Sequence, residues 1–361
     1  MSAWPEDPQG RALFDRLHAW VDEGASRESA EVDALAAELF GWQRARNEVL
    51  ERVARAFVGG AEVRRADDVP AVPTDVFKVA RVACFEPSRD ARVFQTSGTT
   101  RDARGRHAFA DTALYAKACV ASAAKHLLPR PRYRCVFLAQ SEDDAPDSSL
   151  SFMLARFAER WDRPGARAFF VRGAVLDGPG VIAAVRDAAG EGLPVAMLGT
   201  TYAFVHVADA LTARDERLTL PPHSVVMPTG GTKGRSREIT DDALNALLQS
   251  CLGVTRAQIV GEYGMTELSS QAWEVAPGRY RAPPWMIVSA VDPESLARRA
   301  HGEVGLLRAH DLLNLGSAAA VLTADLCVTH DDGTFSVLGR APGATPRGCA
   351  RAMDALLLGG A

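Results

Sequence analysis

The 361-residue chain is poor in lysine, in paired cysteines and in long apolar runs. Lysine occurs only at positions 78, 117, 125 and 233, so any chemistry that requires a lysine has few candidates. The six cysteines include no CxxC pair, which argues against a disulfide framework or a zinc site of familiar spacing and favours a reducing cytoplasm. The first residues form no basic and apolar leader, and no apolar run approaches about 18 residues. We therefore expect neither secretion nor a membrane span.

Charge of one sign is not in excess either. The 41 Lys and Arg residues stand against 45 Asp and Glu residues, and the net charge of −4 offers no basic surface that would follow a phosphate backbone. Apolar residues make up 47% of the chain and charged residues 24%, which is typical of a globular protein with a large core. These values exclude a disordered or fibrous chain and argue against a nucleic-acid partner.

Hydrophobic periodicity predicts the architecture. Apolar residues at spacings of three and four predict helices over residues 13–58, and beyond Pro70 short β-runs alternate with amphipathic stretches. This alternation is typical of a mostly parallel sheet covered by helices. The predicted strands of that sheet are 133–139, 166–171, 194–199, 224–227 and 258–261. Beyond Pro277, short strands near 285, 302, 318 and 334 predict a β-rich subdomain.

The pattern divides the chain into three parts. Residues 1–69 are predicted to be a helical N-terminal segment packed on the core, and residues 70–340 a core domain of the α/β class. Residues 341–361 form a short C-terminal tail, which is too small to be a domain by itself.

A loop of small polar residues follows the short β-run at 91–94. Residues 95–100, QTSGTT, present backbone N–H groups and small hydroxyls without side-chain obstruction, which suits a loop that cradles nucleotide phosphates. The order differs from the GxxxxGK[ST] pattern of P-loop NTPases. A polar surface turn is the alternative interpretation of the same residues.

A second polar segment, GEYGMTE at 261–267, follows the apolar run AQIV, and open α/β sheets bind ligands at the carboxyl ends of their strands. Tyr263 is suited to stack on a base, Thr266 to bond a phosphoryl oxygen and Glu267 to hold Mg²⁺ against phosphate. Asp325 ends the run LTAD and is suited to accept hydrogen bonds from ribose hydroxyls. A polar turn at a strand end is the alternative in both places.

Taken in order, these segments resemble the core motifs of the adenylate-forming superfamily, which includes acyl-CoA synthetases and the adenylation domains of nonribosomal peptide synthetases. The motifs are TSGTT (96–100), GTTYAF (199–204), EYGMTE (262–267), LTAD (322–325) and LGR (338–340). A closer resemblance, over residues 70 to 355, is to the acyl-protein synthetases of the LuxE type. It is carried by DVFK (75–78), GRH (105–107), TGGTKGR (229–235) and LGRAPGATPRGC (338–349).

The resemblance implies a fold and an activity. The fold would be that of the large domain of adenylate-forming enzymes, α/β with mostly parallel sheets covered by helices plus a β-rich subdomain, with the C-terminal small domain absent or vestigial. The chain would use ATP and Mg²⁺ to convert a carboxylic acid to an acyl-adenylate. It would then transfer the acyl group to a thiol.

Residue roles follow from the same resemblance. Thr266 and Glu267 would contact the α-phosphate and Mg²⁺, with Glu267 as the metal ligand, while Asp325 and Arg340 would hold the ribose and Tyr263 would stack on adenine. The residues implied in binding the nucleotide are Thr96, Ser97, Gly98, Thr99, Thr100, His107, Gly230, Gly231, Glu262, Tyr263, Gly264, Asp325 and Arg340.

Two features depart from the superfamily pattern. Its larger members carry a C-terminal lysine that bridges the carboxylate and the α-phosphate, and here no lysine follows Lys233. Lys233, in a glycine-rich turn, or the adjacent Arg235 is the candidate catalytic cation, and a solvated loop lysine is the alternative. Arg101 stands where a glycine usually closes the TSGTTG loop.

The resemblance also implies that Cys349 accepts the acyl group. Its neighbours Arg347 and Arg351 would favour the thiolate, although the RGC segment could instead serve to dock the tail. His107 is suited to bond a phosphate or the acyl carboxylate. His206 lies on an apolar helix that in this superfamily lines the acyl pocket, and a satisfied core histidine is the alternative for it.

Three functions stay open from the sequence. The first is a ligase that activates a carboxylic acid and transfers it to a thiol of its own or of an acyl-accepting protein. The second is transfer of the acyl group to coenzyme A, a carrier protein or an amine in secondary metabolism. The third is a non-catalytic nucleotide-binding protein. The acid, whether fatty, aryl or amino acid, is not fixed, and neither a nucleic acid nor a membrane is an expected partner.

Overall fold

A computed structural model of the chain describes residues 4–59, 61–96, 103–230 and 239–341. These residues form two compact units. Unit 1 takes its described residues from 4–121, 264–272 and 278–341, and unit 2 from 122–263 and 273–277. None of the helices in this part of the chain is both long and apolar enough to cross a bilayer.

Helices and strands alternate along most of the described chain. The α-helices are α1 (Pro8–Glu23), α2 (Ser29–Arg44), α3 (Glu48–Phe57), α4 (Val76–Val79), α5 (Ala113–His126), α6 (Ser149–Trp161), α7 (Gly178–Glu191), α8 (Thr201–Thr212) and α9 (Asp241–Leu252). The strands are β1 (Val72–Pro73), β2 (Arg92–Gln95), β3 (Arg106–Phe109), β4 (Arg134–Leu138), β5 (Val171–Arg172), β6 (Val175–Leu176), β7 (Val195–Thr200), β8 (Val225–Thr229), β9 (Glu262–Tyr263), β10 (Ala272–Ala276), β11 (Arg279–Arg281), β12 (Met286–Val291), β13 (Val304–Asp311), β14 (Ala320–Thr329) and β15 (Thr334–Arg340).

The N-terminal residues of unit 1 fold as the helices that the periodicity predicts. Helix α1 begins where the Asp7 carboxylate accepts a hydrogen bond from the Gly10 amide (2.9 Å), and it ends at Gly24 in the left-handed conformation (φ 59°). Helix α3 begins where Asn47 accepts from the Val49 amide (3.0 Å). The apolar faces are buried, as the spacing requires, and Trp20 is fully buried. The prediction of helices over 13–58 is confirmed.

The β-rich part of unit 1 is an antiparallel sheet. Its strands follow the order β12-β13-β14-β15-β11, and β1 lies parallel to β14. A separate pair of antiparallel strands, β2 and β3, sets Phe94 opposite His107. The subdomain predicted beyond Pro277 is therefore confirmed, with strands near each predicted position. The N-terminal helices belong to the same unit as this sheet.

Unit 2 contains a parallel sheet with the order β4-β7-β8. Its strands are buried throughout most of their length, as expected when helices cover both faces, and they confirm the strands predicted at 133–139, 194–199 and 224–227. The core between them and the helices is contributed mainly by α7, α8 and α9.

Two predicted strands of unit 2 are wrong in extent. Over 166–171, pairing with β4 is limited to a parallel bridge from Phe169 to Phe137, and Val171 already pairs with Leu176 in the hairpin β5–β6, which turns at Gly173 (φ 58°). Over 258–261, pairing is limited to a bridge from Ile259 to Val226, because residues 256–258 form a short 3₁₀-helix. The domain boundaries predicted at 69/70 and 340/341 stay a prediction.

Close strand approach explains Gly199 in the GTTYAF motif. Gly199 pairs with Leu138 in the parallel sheet, and a Cβ atom at Gly199 would lie 2.5 Å from the Leu138 carbonyl oxygen. Because this neighbour is backbone, the clash requires the strands to move apart. We predict that Gly199→Ala lowers the free energy of unfolding by on the order of 1–3 kcal/mol, measured by urea denaturation.

Gly190→Ala is the matched control for this substitution. Gly190 lies in α7 of the same unit, and a Cβ atom there meets nothing within 4 Å. An alanine in a helix is favoured over glycine by about 0.5–1 kcal/mol, so this variant should be neutral or more stable. Equal stability of the two variants would contradict the close-approach explanation.

Candidate active site

The residues that flank positions 97–102 are held together by main-chain and side-chain bonds. The Thr96 amide donates to the Gly105 carbonyl (2.9 Å), and the Gly105 amide donates to the Thr96 hydroxyl (2.8 Å). Arg104 Nε donates to the Thr96 carbonyl (2.7 Å). A Cβ atom on Gly105 would lie 3.3 Å from Glu267 Oε1, so the Glu267 carboxylate lies against this glycine. The structure thus brings together Thr96 and Glu267, which the sequence places 171 positions apart.

Glu267 and the preceding Thr266 belong to a segment fixed by a buried histidine. Glu267 is 5% exposed and His107 is 1% exposed. His107 Nδ1 lies 2.8 Å from the Thr266 carbonyl oxygen, and because a carbonyl only accepts, Nδ1 carries the hydrogen. Burial lowers the pKa of His107 to about 4, so the ring is neutral near pH 7. Its observed contact is to the Thr266 backbone, and its predicted contact with the ligand stays a prediction.

The two residues predicted to hold the ribose lie side by side in unit 1. Asp325 on β14 is directly opposite Arg340 on β15, next to a register shift between Leu326 and Cys327. Arg340 Nε lies 3.6 Å from Asp325 Oδ1, and the Arg340 side chain is 82% exposed. The Asp325 amide donates to the Thr323 hydroxyl (3.0 Å), which fixes its backbone. A carboxylate beside an exposed guanidinium is suited to bind neighbouring hydroxyls.

The predicted residues of unit 2 gather at the end of β8. The Thr229 hydroxyl donates to the Glu262 carboxylate, and Gly230 follows in the left-handed conformation (φ 66°). Burial raises the pKa of Glu262 to about 7, and the Thr229 hydrogen bond opposes this rise. Glu262 and Tyr263 form β9, whereas Gly264 begins the segment that belongs to unit 1.

The start of β9 is anchored by one buried carboxylate. Glu274 Oε2 accepts from the Gly261 amide (3.0 Å), and its Oε1 accepts from Arg256 Nη2 (2.6 Å). Arg256 Nη1 also donates to the Ile259 carbonyl (2.7 Å). These bonds fix the backbone that carries Glu262, so its position depends on an ion pair that the motif itself does not contain.

His206 is a described residue, whereas several other predicted site residues lie outside the described part of the chain. His206 is exposed on α8 and lies edge-on to Tyr202, with ring centroids 4.4 Å apart, so the alternative of a core histidine is wrong. The residues outside the described part of the chain are Ser97, Gly98, Thr99, Thr100, Arg101, Gly231, Lys233, Arg235, Arg347, Cys349 and Arg351. Their roles stay predictions.

Sequence reasoning missed the buried residues that surround Glu267 and fix the segment after it. These are Gly105, Ser269, Ser270, Asp311 and Asn314, all of them buried. A signal was available, because Asp311 and Asn314 are polar residues inside the apolar run 311–320, DLLNLGSAAA. A polar side chain in such a run needs buried partners.

Glu267 is the residue predicted to hold a metal ion. Within the described residues, no three His, Cys, Asp or Glu side chains are grouped to hold a metal ion. Mg²⁺ is commonly bound by one or two carboxylates together with substrate phosphates, so Glu267 beside Thr96 fits Mg²⁺ carried on a nucleotide.

The raised pKa of Glu262 predicts a pH dependence of stability. Below about pH 4.5 the carboxyl is protonated in both states, and between about pH 4.5 and 7 only the unfolded chain ionises. The free energy of unfolding should therefore fall by on the order of 2–3 kcal/mol over this range. Glu262→Gln cannot ionise, so urea denaturation should show the variant gaining stability relative to wild type as the pH rises. Parallel pH profiles would show that Glu262 is ionised in the folded protein.

Comparison with solved structures shows the fold. The chain is similar to 2-hydroxyisobutyryl-CoA ligase in the postadenylation state in complex with 2-HIB-AMP, at a TM-score of 0.63 and 16% identity, over 88% of this chain and 70% of that one. An open conformation of that ligase with 2-HIB-AMP and CoA matches at a TM-score of 0.57 and 16% identity, over 86% and 76%. The fold is that of the adenylate-forming ligases.

Sequence comparison adds the family. The chain is 30% identical over 108 residues to the long-chain-fatty-acid–luciferin-component ligase of Aliivibrio fischeri, a match that spans 29% of this chain and 29% of that protein. The family described as "Acyl-protein synthetase, LuxE" matches residues 168–357, which include Glu262, Glu267, Asp325 and Arg340. This match covers more than half of the sequence, and the chain belongs to the LuxE acyl-protein synthetase family.

Proposed function

We propose that the chain is an ATP- and Mg²⁺-dependent ligase that activates a carboxylic acid as an acyl-adenylate and transfers the acyl group to a thiol. The observation that carries this proposal is the buried Glu267 carboxylate beside Thr96 and Gly105, the residues that flank positions 97–102. Family membership and the fold support it. The second support is the Asp325–Arg340 pair, at 3.6 Å.

The first half-reaction joins two anions. A carboxylate oxygen of the acid attacks the α-phosphorus of ATP, the bond between the α- and β-phosphates breaks, and pyrophosphate leaves. Charge neutralisation and alignment are the main requirements, rather than a general base. Mg²⁺, held through Glu267, would neutralise phosphate charge. The Thr266 hydroxyl would donate a hydrogen bond to the α-phosphate, and Asp325 with Arg340 would hold the ribose.

The second half-reaction needs a nucleophile, which we assign to Cys349. The five described cysteines are all buried, and burial raises the pKa of Cys84 and of Cys327 to about 12 and that of Cys251 to about 11. Such thiols are poor nucleophiles. The Cys349 thiolate, between Arg347 and Arg351 in the sequence, would attack the acyl carbonyl and AMP would leave.

Acid-dependent exchange of labelled pyrophosphate into ATP tests the adenylation step. We expect exchange with at least one acid of a panel of fatty, aryl and amino acids, and the name of the Aliivibrio fischeri relative puts long-chain fatty acids first in the panel. Glu267→Gln keeps the size of the side chain and removes its charge, so exchange should fall by on the order of a hundredfold or more.

Glu294→Gln, at an exposed carboxylate beyond β12, is the matched control and should keep wild-type exchange. Full activity of Glu267→Gln would contradict the role of Glu267. Binding of ATP by the wild type without exchange across the whole panel would contradict the proposed ligase and favour a non-catalytic nucleotide-binding protein.

Cys349→Ser separates the two half-reactions. With the activating acid carrying a radiolabel, wild-type protein should retain a label that hydroxylamine releases, as thioesters do. Cys349→Ser should keep pyrophosphate exchange but lose the label, whereas Cys251→Ser, at a buried cysteine of α9, should keep both. A hydroxylamine-sensitive label on Cys349→Ser would contradict the assignment. Label found only on added coenzyme A would favour the alternative acceptor.

A further inference from the structure

The backbone of Glu267 is bound by a buried asparagine from another part of unit 1. Asn314 is 2% exposed and lies in the segment between β13 and β14. Its Nδ2 donates to the Glu267 carbonyl (2.8 Å) and to the Ala318 carbonyl (3.0 Å), and its Oδ1 accepts from the Ser269 hydroxyl (2.6 Å). Both hydrogens of the amide and its oxygen are therefore used.

A buried carboxylate completes this network on the other side of Ser269. Asp311 is fully buried, and its two oxygens accept from the Ser269 amide (2.8 Å), the Ser270 hydroxyl (2.8 Å) and the Leu313 amide (3.2 Å). The Ser270 hydroxyl in turn accepts from Trp285 Nε1 (3.0 Å). Every residue from Thr266 to Ser270 except Leu268 thus has a backbone or side-chain group bonded to a buried polar side chain.

Two consecutive carbonyls are held from two elements. The Thr266 carbonyl accepts from His107 on β3, and the Glu267 carbonyl accepts from Asn314. Fixing both peptide units that flank the Glu267 Cα atom fixes the direction in which its side chain leaves the backbone. This direction sets the carboxylate against Gly105, next to Thr96.

We propose that Asn314 is a positioning residue for Glu267, which holds the carboxylate where it binds Mg²⁺ on the nucleotide; this rests on the proposed function. A buried polar network costs desolvation and defines a single conformation only when all of its members are paired. Residues that orient a metal-binding carboxylate affect metal affinity and activity by about 10–100-fold without contacting the metal.

The test compares Asn314→Ala with Asn47→Ala. Both asparagines are 2% exposed in unit 1, and Asn47 bonds backbone amides at the start of α3 instead of the Glu267 carbonyl. In pyrophosphate exchange, Asn314→Ala should raise the Mg²⁺ concentration for half-maximal rate about tenfold and lower kcat, with an unchanged KM for the acid. Asn47→Ala should change thermal stability alone. Equal Mg²⁺ dependence in the two variants would overturn the proposal.

Asn314→Asp guards against a failure of the alanine variant to fold. It has the same shape and still accepts from Ser269, but it sets an oxygen against the Glu267 carbonyl, so it should show the same loss of Mg²⁺ affinity. Wild-type Mg²⁺ dependence in this variant would also overturn the proposal.

Hydrogen exchange supplies a readout that does not depend on catalysis. The Ser269 amide is bonded within this network, to Asp311. In both Asn314 variants, the amide hydrogens of residues 264–270 should therefore exchange with solvent on the order of tenfold faster than in Asn47→Ala. If no acid supports exchange of pyrophosphate by the wild type, the proposed function fails. Unchanged hydrogen exchange at 264–270 in an active enzyme shows instead that Asn314 does not hold this segment and overturns the positioning proposal alone.

Discussion

A backbone carbonyl that leaves water must find a donor, and for the carbonyls of Thr266 and Glu267 the donors are side chains instead of a neighbouring strand. His107 serves Thr266 and Asn314 serves Glu267. An unpaired buried carbonyl costs about 1–3 kcal/mol, so this segment has its observed conformation only where both donors are present. The position of Glu267 in unit 1 therefore depends on β3 and on the residues after β13, neither of which belongs to its own motif.

Register has the same importance for Asp325 and Arg340. In an antiparallel pair, a slip by one residue moves every side chain to the other face of the sheet. The register shift after Leu326 and the bond from the Asp325 amide to Thr323 fix the middle of β14 so that Asp325 is opposite Arg340. Two motifs that the sequence separates, LTAD and LGR, thereby lie side by side. The predicted contact of Asp325 with ribose therefore depends on the conformation of β14, whose first residues are buried in the core.

Local pattern was sufficient for most of the architecture. Continuous apolar runs predicted β4, β7 and β8, and apolar residues at spacings of three and four predicted the N-terminal helices. Both predictions succeed because the burial of a strand or of one helix face determines the order of apolar residues within a short stretch of sequence. The bridge at Phe169 shows the limit of this reasoning. Its run is as apolar as that of a strand, but it forms a single bridge with β4 before Val171 enters the hairpin β5–β6.

The candidate site also contains residues that the sequence predicts and residues that it does not. Glu262, Glu267, Asp325 and Arg340 could be chosen from the sequence because they lie in recognisable motifs. Asp311 and Asn314 could be recognised only as polar residues in an apolar run that need buried partners, because the partners themselves, such as Ser269, lie more than 40 positions away. The effect of burial on Glu262 and His107 was equally beyond the sequence, since the pKa of a side chain depends on the solvent that the whole fold removes.

The scarcity of lysine limits which cations can lie beside the residues predicted to bind the nucleotide. Two of the described lysines form ion pairs, Lys78 with Asp75 (2.7 Å) and Lys117 with Asp22 (2.6 Å). The charge of each ammonium group is therefore balanced by a carboxylate of this chain. The described cations beside the predicted nucleotide residues are arginines: Arg104 donates to the Thr96 carbonyl, and Arg340 lies beside Asp325.

A guanidinium is planar, stays charged when partly desolvated and presents several donors at fixed angles. It can bond a backbone carbonyl or a carboxylate with some of these donors and keep others for phosphate or ribose oxygens, which a single ammonium does less well. Arginine in these two positions can therefore combine a structural bond with charge neutralisation. The predicted cation at the reacting carboxylate stays Lys233 or Arg235.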